Sequence, residues 1–197
     1  NMYAKGRQIR MLNRAAPGDV DWGAMGVDIV IEATTKFRHR ETLQRHLDMG
    51  AKRVVLTVPP REPSDVDALV VSGVNDHVLG PETRIVSAAS CTAKAVEHIL
   101  PELRGKLDGM AMCVPVPDGS VVDLVTLMTR EVTALEVNEV VRSASCSTFQ
   151  HIIEYTDQPV VSSDVIGNTH SAVFDGASTV VLDGNMLKTL TWYDNGW

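Results

Sequence analysis

Val27-Asp28-Ile29-Val30-Ile31-Glu32-Ala33 is the stretch on which the reading of the fold turns. Its β-branched residues follow one another instead of alternating strictly with polar ones, which suits a strand buried on both faces of a parallel sheet. Working outward, Arg38–Met49 predicts a helix, with Leu43 and Leu47 four apart and Gly50 as its stop. Lys52–Val58 is the next strand, closed by Pro59-Pro60, and Leu69–Val74 and Arg84–Ala88 continue the series. Upstream, Gln8–Leu12 is a weaker strand. Strands interleaved with a helix predict an α/β architecture built on a partial, doubly wound parallel sheet.

The second half differs in pattern. Met110–Val116 and Val121–Met128 read as long apolar strands around the turn Pro117-Asp118-Gly119. Thr133-Ala134-Leu135-Glu136 has capping-box spacing and opens a helix running to about Arg142. Val173–Leu182 and Met186–Trp192 flank Asp183-Gly184-Asn185, and an Asp-Gly pair between apolar runs is a hairpin signal. A smaller antiparallel α+β domain is expected here. The composition shifts near Cys91, so the expected division is 1–90 and 91–197.

Composition narrows the function classes. The chain has 197 residues and a net charge of −7, and its basic residues are scattered apart from Lys36-Phe37-Arg38-His39-Arg40. A nucleic-acid partner would need a broad positive face, so none is expected. No apolar run is long enough to span a membrane, and the first residues carry no apolar core of a signal peptide, so a cytoplasmic location is expected. The three cysteines, Cys91, Cys113 and Cys146, match no metal-ligand spacing and read as reduced thiols; no metal site is expected.

Cys91 stands out by position. Ser87-Ala88-Ala89-Ser90-Cys91-Thr92 follows a predicted strand, and Ala93–Leu100 predicts a helix stopped by Pro101. A cysteine at a helix start has thiolate favoured by the helix dipole and the free N–H groups there, and is a candidate nucleophile. The alternative is a buried structural cysteine.

Ala89-Ser90-Cys91-Thr92 resembles the nucleophile motif of the phosphorylating glyceraldehyde-3-phosphate dehydrogenase family. Further segments match that family in order: Trp22-Gly23, Gly26 through Thr34, Gly50-Ala51-Lys52-Arg53-Val54-Val55, Gly73-Val74-Asn75, Leu100-Pro101-Glu102-Leu103, Ser120-Val121-Val122-Asp123-Leu124, Val161-Ser162-Ser163-Asp164 and Trp192-Tyr193-Asp194-Asn195. The resemblance implies a Rossmann-like cofactor domain followed by a catalytic domain. It implies NAD as cofactor, a sugar-phosphate aldehyde as substrate and a homo-oligomer. Cys91 would be the nucleophile, Ser90 and Thr92 would bind phosphate, and Thr34, Phe37, Thr57 and Asn195 would line the cofactor. Glyceraldehyde 3-phosphate and erythrose 4-phosphate enzymes share this framework.

The departures from the family matter as much. No Gly-x-Gly-x-x-Gly occurs in the chain, and the resemblance begins near the third strand of the cofactor fold. After Thr92 the sequence passes to Ala93-Lys94-Ala95-Val96, which resembles a segment far downstream, so the family's catalytic histidine has no counterpart. His98 lies seven residues beyond Cys91, about 10 Å along a helix axis, too far for a hydrogen bond. His170 matches a family histidine that is not the base. Cys113 stands where the family has a phosphate-binding arginine, and Thr35 where it has glycine. An impaired dehydrogenase is therefore expected, with a non-enzymatic remnant or an interaction module as the alternative.

Overall fold

A computed structural model describes residues 2–88, 96 and 100–197. The chain divides into two compact units, Asn1–Ala111 and Met112–Trp197. The boundary expected at Cys91, and most of the helix expected over 93–100, fall outside the described residues.

The first unit holds a four-stranded parallel sheet. Its strands are β3 (Ile29–Glu32), β4 (Arg53–Leu56), β5 (Ala68–Leu69) and β6 (Ile85–Ser87), in the order β3-β4-β6-β5. Helix α1 (Arg40–Asp48) connects β3 to β4 and buries the predicted pair Leu43 and Leu47. These pack with Val54, Leu56, Val66, Leu69 and Ile85 into one apolar core. Full burial of each such side chain is worth about 1.5–3 kcal/mol. Gly50 ends the helix at φ 96°, a left-handed conformation that favours glycine. A Cβ at Gly50 would lie 2.6 Å from the backbone of Gly23, whose N–H donates to the Met49 carbonyl at 3.0 Å.

The strand expected over Leu69–Val74 is cut short after Leu69. The buried Asn75 is the cause: its Nδ2 donates to the Leu69 carbonyl at 2.8 Å and its Oδ1 accepts the Val71 N–H at 2.7 Å, folding 70–74 into a turn. The weak upstream strand becomes a separate hairpin, β1 (Met2–Ala4) with β2 (Arg7–Ile9). Its turn residues Lys5 and Gly6 both have positive φ, the geometry of a tight two-residue hairpin.

The second unit is a four-stranded sheet in the order β7-β10-β9-β8: β7 (Ser120–Leu127), β8 (Ile153–Thr156), β9 (Ala172–Leu182) and β10 (Met186–Tyr193). β7, β10 and β9 run antiparallel, and β8 joins β9 in parallel. Asp183 and Gly184, at φ 47° and 75°, form the predicted hairpin turn between β9 and β10. Helix α2 (Ala134–Ser145) is capped by Thr133, whose hydroxyl accepts the Glu136 N–H at 3.1 Å, and packs on β8 and β9. Asn138 fastens it: Nδ2 donates to the Gly176 carbonyl and Oδ1 accepts from the Thr179 hydroxyl.

Met110–Val116, expected as a strand, joins no sheet. Its side chains are exposed, Met110 by 82% and Met112 by 74%. A strand needs a neighbour to take its N–H and C=O groups, and none lies beside this stretch among the described residues.

Candidate active site at the carboxyl edge of the parallel sheet

The parallel register aligns Glu32 with Leu56, Leu56 with Ser87, and Ser87 with Leu69, so the four strands end on one rung. The chain leaves this edge along a ladder of backbone bonds. Thr57 N–H donates to the Glu32 carbonyl at 3.1 Å, Ala88 N–H to the Leu56 carbonyl at 2.9 Å, and Val70 N–H to the Ser87 carbonyl at 2.9 Å. Ser87 is fully buried and donates its hydroxyl to the Val58 carbonyl at 3.0 Å.

Two sequence-predicted residues meet here through a third. Thr34 gives both its N–H, at 2.9 Å, and its hydroxyl to Glu32 Oε1, while Thr57 reaches the Glu32 carbonyl. Thr34 and Thr57 are exposed and Glu32 is buried. Phe37 is half-buried, with the Lys36 ammonium 5.3 Å from its ring centroid. Thr35 sits at φ 62°, a left-handed conformation that a β-branched residue takes only under strain. That strain is what the expected glycine would avoid.

The other predicted residues lie elsewhere. Asn195 is exposed in the second unit and accepts the Ser120 hydroxyl at 2.8 Å. Ser90, Cys91, Thr92 and His98 lie outside the described residues. His170 has its Nδ1 within 3.0 Å of Asn168 Oδ1 and 3.3 Å of Glu154 Oε2. Cys113 and Cys146 are exposed free thiols. Among the described residues no three His, Cys, Asp or Glu side chains cluster to hold a metal ion, and no helix is long and apolar enough to cross a membrane. Concave surfaces are lined by Met128, Val137 and Leu187 in one unit and by Asp28, Lys52 and Arg84 in the other; neither group includes the carboxyl-edge residues Thr34 and Thr57.

The sequence reading missed the interior of the edge. Glu32 is buried beside His46 of α1, with Oε2 3.3 Å from Nε2, and His46 Nδ1 accepts the Trp22 indole N–H at 3.1 Å. The signal available was a charged residue, Glu32, inside an otherwise apolar strand.

A family profile described as "Glyceraldehyde 3-phosphate dehydrogenase, C-terminal domain" matches residues 80–195. The chain belongs to the glyceraldehyde-3-phosphate dehydrogenase family. Relatives named glyceraldehyde-3-phosphate dehydrogenase are similar over nearly all of it. The protein from Geobacillus stearothermophilus is 34% identical, over 99% of this chain and 75% of its own length. That from Borreliella burgdorferi is 35% identical, over 96% and 76%. Glyceraldehyde-3-phosphate dehydrogenase 1 of Kluyveromyces lactis is 34% identical, over 99% and 76%. The match to the Geobacillus dehydrogenase extends over 255 positions against the 197 residues of this chain, so that relative carries residues inside the matched span that have no counterpart here.

Proposed function

We propose that this chain carries an aldehyde-oxidising site of the glyceraldehyde-3-phosphate dehydrogenase type, with Cys91 as nucleophile, and that its turnover is impaired. The observation that carries the reading is the shared rung Glu32–Leu56–Ser87. In open α/β sheets ligands bind outside the carboxyl ends of the strands. Thr34 follows this rung by two residues, Thr57 by one and Cys91 by four. Residues 1–90 are then a partial dinucleotide-binding domain and 91–197 a partial catalytic domain of a cytoplasmic homo-oligomer.

In this reading the Cys91 thiolate adds to the carbonyl carbon of a sugar-phosphate aldehyde, the carbonyl π electrons move to oxygen, and the alkoxide takes a proton from solvent to give a thiohemiacetal, with Ser90 and Thr92 holding the phosphate. NAD would be the hydride acceptor, but the residues present do not fit its pyrophosphate. At the carboxyl edge the Thr34 hydroxyl already donates to Glu32, and Thr35 adds a side chain at a left-handed position. The missing catalytic histidine removes a base whose contribution is typically about 10²–10⁴-fold. Asn195, assigned to the nicotinamide by the resemblance, has its carbonyl oxygen engaged by Ser120.

Alkylation at limiting iodoacetamide, mapped by mass spectrometry, tests the nucleophile. Cys91 is expected to label ahead of the exposed Cys113 and Cys146; preferential labelling of either of those would overturn the assignment. Calorimetric titration tests the cofactor side, where no saturable NAD binding below millimolar is expected and its appearance would refute the impairment. A second reading, an interaction module of the same family, is favoured by the exposed apolar run Met110–Val116. Association with a partner, without labelling preference at Cys91, would support it.

A further inference from the structure

The buried group at the carboxyl edge is a one-way series of hydrogen bonds, and its direction can be assigned from chemistry alone. The Trp22 indole N–H is only a donor, so His46 Nδ1, 3.1 Å away, must be the acceptor. The His46 proton therefore sits on Nε2, which faces Glu32 Oε2 at 3.3 Å and donates to it. The other carboxyl oxygen, Oε1, takes the Thr34 N–H at 2.9 Å and the Thr34 hydroxyl. Glu32 thus meets donors on both oxygens, and at this chain length only a carboxylate accepts on both sides. A glutamine would turn an NH2 group against either the Thr34 N–H or the His46 N–H. Glu32 and His46 are 4% and 5% exposed, so water does not replace these partners cheaply.

The series ends on Thr34, which is exposed. Its hydroxyl proton is committed to Glu32, and its oxygen faces the Lys36 N–H at 3.4 Å. A group arriving from solvent meets an acceptor there, not a donor. We propose that Trp22, His46 and Glu32 are positioning residues that fix the direction of the Thr34 hydroxyl, so that this corner favours a hydroxyl- or amine-bearing ligand group over a phosphate. The inference rests on the reading of the carboxyl edge as the functional edge, and it deepens that reading by naming the ligand chemistry that Thr34 selects.

The test uses the full chain without cofactor or aldehyde, so it stands or falls apart from Cys91 chemistry. Nitrogen-15 NMR of histidine-labelled protein should show His46 with a pyridine-type Nδ1 and a pyrrole-type Nε2. The reverse pattern, or a fast mixture of the two, would overturn the proposal, and this measurement needs no variant to fold. Trp22→Phe keeps an aromatic ring but removes the donor, and should move the two ring nitrogens towards averaged values with the circular dichroism unchanged. Glu32→Met keeps the length of the side chain but removes both acceptors, and should speed hydrogen exchange at the Thr34 amide by about tenfold, the loss expected for one well-made hydrogen bond. Unchanged His46 nitrogens in Trp22→Phe, or an unchanged Thr34 exchange rate in Glu32→Met, would show that the direction is set by packing. Inorganic phosphate titrated against the labelled chain should leave the Thr34 amide in place; a saturable shift there would also count against the proposal.

Discussion

Arg142 lies over the ring of Tyr155, its guanidinium carbon 4.3 Å from the ring centroid, and both residues reach the same carboxylate. Arg142 Nη2 donates to Asp157 Oδ2 at 2.9 Å and the Tyr155 hydroxyl to Oδ1 at 2.7 Å. The triad ties α2 to the end of β8. The Tyr155 hydroxyl first, and then Arg142, hold the Asp157 carboxyl below its ordinary range. A carboxyl depressed in the folded state adds stability above its unfolded value of about 4, and that stability is lost as pH falls through the folded value. Asp157→Asn should therefore melt below the parent at pH 7, with the gap closing below about pH 4. Thermal melts of both proteins across that range check it; a gap that stays constant would mean that Asp157 acts without its charge.

Thr35 gives the simplest stability prediction. A side chain at a left-handed φ costs about 1–2 kcal/mol, partly offset in glycine by the greater freedom of its unfolded chain. Thr35→Gly should raise the urea midpoint by the equivalent of about 1 kcal/mol, whereas Thr35→Val should not. A lowered midpoint for glycine would mean that the Thr35 side chain makes up its backbone cost elsewhere.

The edge position of β3 predicts association. Asp28 and Glu32 turn their carbonyls to the β4 side, where Lys52, Arg53 and Thr57 donate to them. By alternation Ile29 and Ile31 turn their N–H and C=O groups to the open edge, and their side chains are 55% and 66% exposed. Such an edge invites pairing with a second chain. Light scattering over a concentration series should show self-association that Ile29→Lys weakens, since a charged side chain on an edge opposes pairing. A monomer at all concentrations, unaltered by the lysine, would show that the edge is closed.

Asn138 should be the most sensitive polar position of α2. Its side chain serves Gly176 and Thr179 of β9 at 2.8 and 2.7 Å. Asn138→Ala leaves a carbonyl and a hydroxyl without those partners, and should cost about 1–3 kcal/mol in denaturant unfolding. A cost within error would mean that water takes over both bonds.

Much of the fold was legible because it rests on local chemistry. The run at Ile29–Glu32, the Leu43 and Leu47 spacing, the Thr133 cap and the Asp183-Gly184 turn each specify an element without reference to distant residues, but the burial expected on both faces of the first does not hold: Ile29 and Ile31 are exposed because β3 ends the sheet with one face uncovered. Met110–Val116 was misread because apolar alternation states what a strand would bury, not whether a neighbour exists to pair with it. Leu69–Val74 was misread because Asn75 intervenes through its side chain. Thr34 and Thr57 are named by family resemblance alone, and the structure adds that both reach Glu32. The Trp22–His46–Glu32 series was not, because its members stand 24 and 14 positions apart and meet only after α1 has packed on the sheet.

The contact between Gly23 and Gly50 makes the placement of Trp22 a matter of main chain. With no room for a methyl between the two backbones, substitution at Gly50 must push the Trp22-Gly23 segment off the end of α1. The indole would then lift away from His46, although Gly50 itself takes no part in that series of side chains. A survey that ranks positions by distance from the carboxyl edge would score Gly50 as an idle spacer. Its replacement would instead be felt at Thr34, passed along through Trp22, His46 and Glu32, so that the orientation of one surface hydroxyl is inherited from the absence of a side chain just past the end of the helix.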